Sequence, residues 1–279
     1  GIAKAGAAFL VLDPAYPAAR LVDYLHRSQS RGWIAIDRAG DPPAELENVL
    51  ATARFRLTLT AMGDIAGEPA VVEGLSNAEP DVTVGPDDPA CVVFTSGSTG
   101  TPKGVLGRHG SLTHFMPWQA KTLGLDQQDR FSLLSGLAHD PLQRDILTAL
   151  WVGGTLCVPD GDQLGTPGWT ARWMAEQGIT FAHLTPAMSQ LLAEGAEPGV
   201  RLDHLRYAFF VGDRLTRRDV ERLGRLAPDV SVINSYGSTE TQRAVGYYRV
   251  PAEAEGKIDL GGMATTSSGG VVYPVGQGM

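Results

Sequence analysis

VVFTSGSTGTPKGV, residues 92–105, carries an apolar run into a loop of serines, threonines and glycines that closes on Pro102, Lys103 and Gly104. A strand feeding a glycine-rich loop is the sequence form of a phosphate cradle. Gly97, Gly100 and Gly104 let backbone N–H groups approach phosphate oxygens, and Thr95, Ser96, Ser98, Thr99 and Thr101 add hydroxyl donors. Lys103 adds positive charge. The loop is not a Walker A loop, because Gly104 rather than Ser or Thr follows the lysine and the glycine spacing differs. A flexible Ser/Gly linker is the competing reading, but a linker needs neither the apolar strand before it nor a lysine fixed at its end.

Composition agrees with a folded domain that binds a small phosphate-bearing ligand. With 279 residues, 43% hydrophobic and 19% charged, the chain can bury a substantial core. A net charge of −8 argues against a nucleic-acid partner, which calls for a basic face. Cys91 and Cys157 sit in the apolar runs ACVVF and TLCVP, so buried free thiols and a reducing, cytoplasmic setting are expected. No run approaches the length of a membrane span, and no signal peptide is read at the N-terminus.

Outward from the loop, strand and helix patterns alternate. Phe9–Leu12, Trp33–Ile36 and Phe55–Leu59 read as strands, and Pro17–Ser28 as a helix with Leu21, Tyr24 and Leu25 on one face. Asp41–Asn48 reads as a loop or short helix. After the loop come a helix over Ser111–Leu123, a strand over Arg130–Leu134 and a helix over Asp140–Leu150. Further strands fall at Thr155–Val158, Thr180–Leu184, Tyr207–Val211 and Val230–Asn234, with helices over Gly168–Gln177, Pro186–Leu192 and from Thr216. Thr216 and Asp219 have capping-box spacing. This grammar predicts parallel α/β sheets flanked by helices, with ligands at the carboxyl ends of the strands. The loop after Phe94, the turn Val211–Asp213 and the motif after Ile233 are expected on one rim.

Three stretches together resemble the adenylate-forming superfamily, and within it the adenylation domains of nonribosomal peptide synthetases. VVFTSGSTGTPKGV is similar to the superfamily's signature loop. KAGAAFLVLDPAYPAARL (4–21) resembles the second core motif of these domains, and NSYGSTET (234–241) the fifth, NxYGPTE. They occur in the family's order and span nearly the whole chain. The resemblance implies the large-subdomain fold, with an α/β core over 1–255 and the start of a β-barrel subdomain over 256–279, where YPVGQGM looks like the PIGRP-type turn. No counterpart of the ribose-binding YxTGD segment, the hinge or the small C-terminal domain with its lysine is read here. The chain is therefore expected to be the middle part of an adenylation domain.

The resemblance also implies ATP and Mg²⁺ as cofactors, an amino-acid substrate, and a peptidyl carrier protein whose phosphopantetheine thiol receives the product. It assigns Thr95, Ser96, Gly97, Ser98, Thr99, Gly100 and Lys103 to the β- and γ-phosphates. Asn234 falls beside adenine, Tyr236 stacks on it, Thr239 meets the α-phosphate and Glu240 is the Mg²⁺ carboxylate. Ser238 replaces the usual proline. Gly212 and Asp213 match a Gly-Gly-Glu turn lining the adenine, with Val211 and Asp213 departing from its pattern. Thr239, Glu240 and Lys103 are the expected catalytic groups.

For the acyl substrate, LAHDPLQRDIL takes the place of the FDxS motif. The resemblance puts Asp140 on the α-amino group, with His139 replacing the phenylalanine, and Pro141, Arg144, His183, Phe209, Val211, Ser235, Arg243 and Ala244 in the specificity pocket. Two arginines call for an anionic group, since a buried unpaired guanidinium costs several kcal/mol and its fork suits a carboxylate. AHDPLQRDI with YGSTETQRAVGYY resembles the α-aminoadipate reductase type, which implies 2-aminoadipate. In that type the side-chain carboxyl is activated, so two substrate orientations are open. Arg144 and Arg243 could instead be helix-surface residues, Arg144 paired with Asp145 or Asp140, and His183 a satisfied core histidine. Competing functions are an acyl- or aryl-CoA ligase, whose substrates lack an amine for Asp140, and a non-catalytic nucleotide-binding module.

Overall fold

The computed structural model describes residues 1–60, 76, 78–97, 100–251, 264–265 and 271–279. Ser98, Thr99 and all of 256–270 except Ala264 and Thr265 lie outside the described residues, and with them most of the expected β-barrel start. The chain divides into two units, Gly1–Gly110 and Ser111–Met279, inside the stretch expected as one core over 1–255.

The first unit contains β1 (Phe9–Leu10), α1 (Ala18–Ser28), β2 (Gly32–Ile36), α2 (Ala44–Leu50), β3 (Phe55–Leu59), β4 (Pro89–Thr95) and β5 (Lys103–Arg108). Pro17 presets the entry to α1, and its 3–4 spacing buries Leu21, Tyr24 and Leu25. Leu21 and Leu25 pack with Leu46 and Leu50 of α2. β2 and β3 pair in parallel. β1 runs parallel to β4, and β4 antiparallel to β5. The sequence reading missed β5. Its consequence is that the signature loop is the connection of an antiparallel hairpin, with Thr95 opposite Lys103. Gly104 faces Phe94, whose ring stacks on Tyr24 at 4.0 Å between centroids. A Cβ on Gly104 would come to 3.3 Å from the Phe94 ring, so glycine leaves room for that stack.

The second unit holds α3 (His109–Leu123, all but its first two residues), β6 (Arg130–Ser132), α4 (Pro141–Val152), β7 (Thr155–Cys157), α5 (Trp169–Glu176), β8 (Phe181–Leu184), α6 (Pro186–Gly195), β9 (Tyr207–Phe210), α7 (Arg217–Leu226), β10 (Ser231–Gly237), β11 (Ala244–Arg249), β12 (Ala264–Thr265), β13 (Val271–Val272) and β14 (Gln277–Gly278). Seven strands form one sheet in the order β14-β11-β10-β9-β8-β6-β7. From β7 to β10 the pairing is parallel, as the alternating pattern predicts. β11 and β14 add an antiparallel edge that the sequence reading missed. β12 and β13 pair antiparallel.

Period-two alternation places each strand residue on one of two covered faces. Phe131, Phe181, Phe209 and Ile233 pack with Phe115, Met116 and Leu123 of α3 and Ala149 of α4. Ala182, Leu184, Ala208, Phe210 and Val232 pack on the other face with Trp173, Met174, Leu192 and Leu223 of α5 to α7. Thr216 caps α7 in a full capping box with Asp219. Cys91 and Cys157 are buried and form no disulfide among the described residues. Among the described residues no helix is long and apolar enough to cross a membrane.

Candidate active site

In the first unit, the loop leaves β4 at Thr95 and returns at Lys103. Gly97 has φ of 57°, and a Cβ there would lie 2.1 Å from the Thr101 carbonyl oxygen, so only glycine fits without moving backbone. The Gly100 N–H donates to the Gly97 carbonyl at 3.1 Å, closing a tight turn. Ser96, Gly100 and Lys103 are exposed and Thr95 is half-buried. Such a turn presents hydroxyls, N–H groups and an ammonium to solvent. That donor set fits phosphate oxygens.

In the second unit the remaining predicted residues gather at the carboxyl ends of β8, β9 and β10 and on α4. Gly212 (φ 96°) and Asp213 form an exposed turn after β9. Asp213 accepts from the Arg214 N–H at 2.7 Å. Asn234 is buried, and its amide donates to the carbonyls of Pro274 at 2.8 Å and Tyr273 at 3.3 Å. Its side chain thus anchors the 273–274 segment. Tyr236 is 56% exposed, as a base-stacking platform requires. Glu240 is exposed and makes no hydrogen bond or ion pair among the described residues. A single free carboxylate of this kind suits Mg²⁺, which commonly takes one carboxylate together with phosphate oxygens.

The fifth motif and the substrate motif meet directly. Thr239 Oγ1 donates to Asp140 Oδ1 at 3.0 Å. Asp140 is the N-cap residue of α4 but makes no side-chain capping bond, so its carboxylate faces the motif instead. Gln143, nearly one turn on, accepts from Arg243 Nη2, and Arg243 Nη1 donates to the Gln242 carbonyl. Together these bonds staple the start of α4 to the β10–β11 turn. Pro141 opens α4 in its first turn, and His139 is exposed in the turn before it.

Arg144, one helical turn beyond Asp140, is 4% exposed. Its Nε and Nη2 have no hydrogen-bond partner, and among the described residues it forms no ion pair with Asp140 or Asp145. This overturns the helix-surface reading. Burial pushes the guanidinium pKa down, opposed by Asp145 and then Asp140. Arginine still keeps its proton, so the cost of burying the charge stands until an anion meets it.

His183 and Phe209 lie in register on neighbouring strands, on the face covered by α3 and α4. Ala244 is buried on the same face. Ser235 is buried with its hydroxyl donating to the Phe210 carbonyl at 2.6 Å. Val211 follows β9, its N–H bonded to the Leu184 carbonyl at 3.1 Å. His183 Nδ1 donates to Asp145 Oδ1 at 2.7 Å, and its Nε2 accepts from Gln119 Nε2 at 3.1 Å. Gln119 in turn accepts from Thr148 Oγ1 at 2.9 Å. Nδ1 as donor and Nε2 as acceptor is the pattern of an imidazole carrying a single proton. Burial pushes its pKa down, and the hydrogen bond to Asp145 opposes that.

Gln119 and Thr148 were not singled out from sequence, and Asp145 was considered only as a partner for Arg144. The available signal was polar residues inside apolar helix faces, as in PWQAK and RDILTAL.

The family model described as AMP-binding enzyme matches residues 1–272. The L-2-aminoadipate reductase large subunit of Eremothecium gossypii is 45% identical over all of this chain and 21% of its own length. The L-2-aminoadipate reductase of Schizosaccharomyces pombe is 43% identical over all of this chain and 20% of its own. The chain thus spans about a fifth of these relatives. Among solved structures, IdnL7 superposes with a TM-score of 0.78 at 28% identity, over 99% of this chain and 54% of that one. Signature loop, fifth motif, α/β architecture and these likenesses converge: the chain belongs to the AMP-binding enzyme family.

Proposed function

We propose that this chain activates an amino-dicarboxylic acid of the 2-aminoadipate type with ATP, forming an acyl-adenylate that is passed to a carrier-protein thiol. One observation carries the substrate choice. Asp140 and Arg144 stand one turn apart on α4, the first able to take an ammonium, the second a buried cation with unspent donors. Residues at this spacing have Cβ atoms about 5–6 Å apart. That matches the reach between the amine of an amino-dicarboxylic acid and one of its carboxylates. The other carboxylate is the one activated. A simple fatty or aryl acid would bring no ammonium to Asp140. The relatives' names agree with this reading.

In the reaction the carboxylate attacks the α-phosphorus and the bond to pyrophosphate breaks, so the protein's task is positioning and charge stabilisation. Thr95 to Lys103 would hold the β- and γ-phosphates. Tyr236 and the Gly212 turn would hold adenine, Thr239 would donate to the α-phosphate, and Glu240 would ligate the metal. When bound, Mg²⁺ supplies charge neutralisation across the phosphates. In this proposal the carrier thiol and the small-domain lysine implied by the resemblance belong to the longer protein.

The test is amino-acid-dependent ATP–pyrophosphate exchange in the protein carrying this chain, across 2-aminoadipate, glutamate, neutral amino acids and adipate lacking the amine. Preference for an acid that carries both amine and second carboxylate is expected. Preference for a neutral amino acid, or equal use of adipate, would contradict it.

A further inference from the structure

We propose that His183 is a positioning residue: by holding Asp145 it keeps that carboxylate off Arg144 and leaves the guanidinium for the anionic group of the substrate. The proposal rests on the acidic-substrate reading above.

Arg144 and Asp145 are consecutive on α4 and both are buried. Of the charges acting on Arg144, Asp145 is the strongest and Asp140 the next. Left to itself, a buried carboxylate beside a buried guanidinium is drawn into a charge-assisted hydrogen bond. That pair is not made. Asp145 Oδ1 accepts from His183 Nδ1 at 2.7 Å and Oδ2 from the Ser135 N–H at 3.2 Å. Asp140, the other candidate, accepts from Thr239. Both counter-charges next to Arg144 are therefore committed to other donors, and its Nε and Nη2 stay unspent.

The holder is itself held. Gln119 on α3 donates to His183 Nε2, and Thr148 on α4 fixes Gln119 through its carbonyl oxygen. The ring is wedged edge-on against Phe181 and Phe209, with centroids at 4.9 and 5.4 Å. It cannot turn away from Asp145 without breaking this chain of bonds. A neutral imidazole is the suitable donor, because it satisfies Asp145 without adding a second cation to compete with Arg144 for the substrate's carboxylate.

The experiment measures exchange with 2-aminoadipate and with its side-chain amide, which has the same length and no second charge. His183→Leu releases Asp145 to Arg144. KM for the acid should rise about tenfold or more, the scale of a lost hydrogen bond to a charge. KM for the amide should rise much less than that for the acid, because the amide places no charge on Arg144. His183→Asn, whose amide N–H can stand where Nδ1 donates, should keep the acid preference. Adding Asp145→Asn to His183→Leu removes the competing carboxylate and should restore it. A purely structural role for His183 would make that double variant no better than the single one, and that result overturns the proposal.

Should His183→Leu fail to fold, Asp145→Asn alone decides. Preference for the acid is expected to persist while thermal stability drops, and a collapse of the preference would show that Asp145 supports Arg144 rather than competing for it. If the unaltered protein does not prefer the acid over the amide, the substrate reading falls by itself. The positioning role is then read from a crystal structure of His183→Leu, where Asp145 hydrogen-bonded to Arg144 supports it and Asp145 left away from Arg144 overturns it.

Discussion

Gly97 and Glu240 show how much a single residue can be asked to do. At Gly97 a positive φ coincides with a carbonyl oxygen where a side chain would begin. Gly97→Ala therefore has to displace the Thr101 backbone, at a cost of about 1–3 kcal/mol. ATP affinity measured by calorimetry should fall about tenfold or more, following that strain energy. Unchanged affinity would remove the loop from the phosphate site. Glu240 is exposed and uncommitted among the described residues, so Glu240→Gln should leave the fold intact and flatten the dependence of ATP binding on Mg²⁺. A variant with the original Mg²⁺ dependence would take the metal away from Glu240.

At the scale of elements, α7 depends on its reciprocal cap, in which Thr216 Oγ1 accepts from the Asp219 N–H and Asp219 Oδ2 from the Thr216 N–H. Thr216→Ala should cost about 1 kcal/mol, read as a lower urea midpoint with an unchanged slope. That cap was legible in the sequence because it is local, as were α1 and the buried strands β8 to β10. Two of the missed strands, β5 and β11, are hairpin partners. β5 carries Gly104 and Gly107, and β11 carries Gly246, so neither shows a clean alternation. Each is defined by its partner across the ladder rather than by its own pattern. The site divides the same way. Asp140, Arg144 and Thr239 stood out by motif, whereas Gln119, Asp145 and Thr148 acquire meaning only when α3, α4 and β8 are brought together.

For the molecule as a whole, the buried imidazole ties stability to pH. His183 faces Asp145, Arg144 and Gln119, and its folded pKa lies below the ordinary value, chiefly through burial. The unfolded chain, near pKa 6.5, binds the proton first as pH falls. The contribution is therefore fully present above about pH 6.5 and is lost as the pH drops from there toward the folded pKa. Denaturation midpoints should decline from pH 7 to about pH 5, and His183→Asn should make that decline shallower. An identical slope in the variant would place the acid sensitivity elsewhere, among the carboxylates that outnumber the basic groups in a chain of net charge −8.

In the proposed reaction a buried guanidinium, whose Nε and Nη2 have no partner among the described residues, reads an anionic group on the substrate. The most direct test is ATP–pyrophosphate exchange by Arg144→Gln with 2-aminoadipate against its side-chain amide. The unaltered protein should favour the acid, and the variant should lose about a hundredfold in kcat/KM for it, the scale of an unpaired desolvated carboxylate. Activity with the amide should change little or improve. An Arg144→Gln enzyme that ranks the two substrates as the unaltered protein does would mean that Arg144 does not read the substrate's charge.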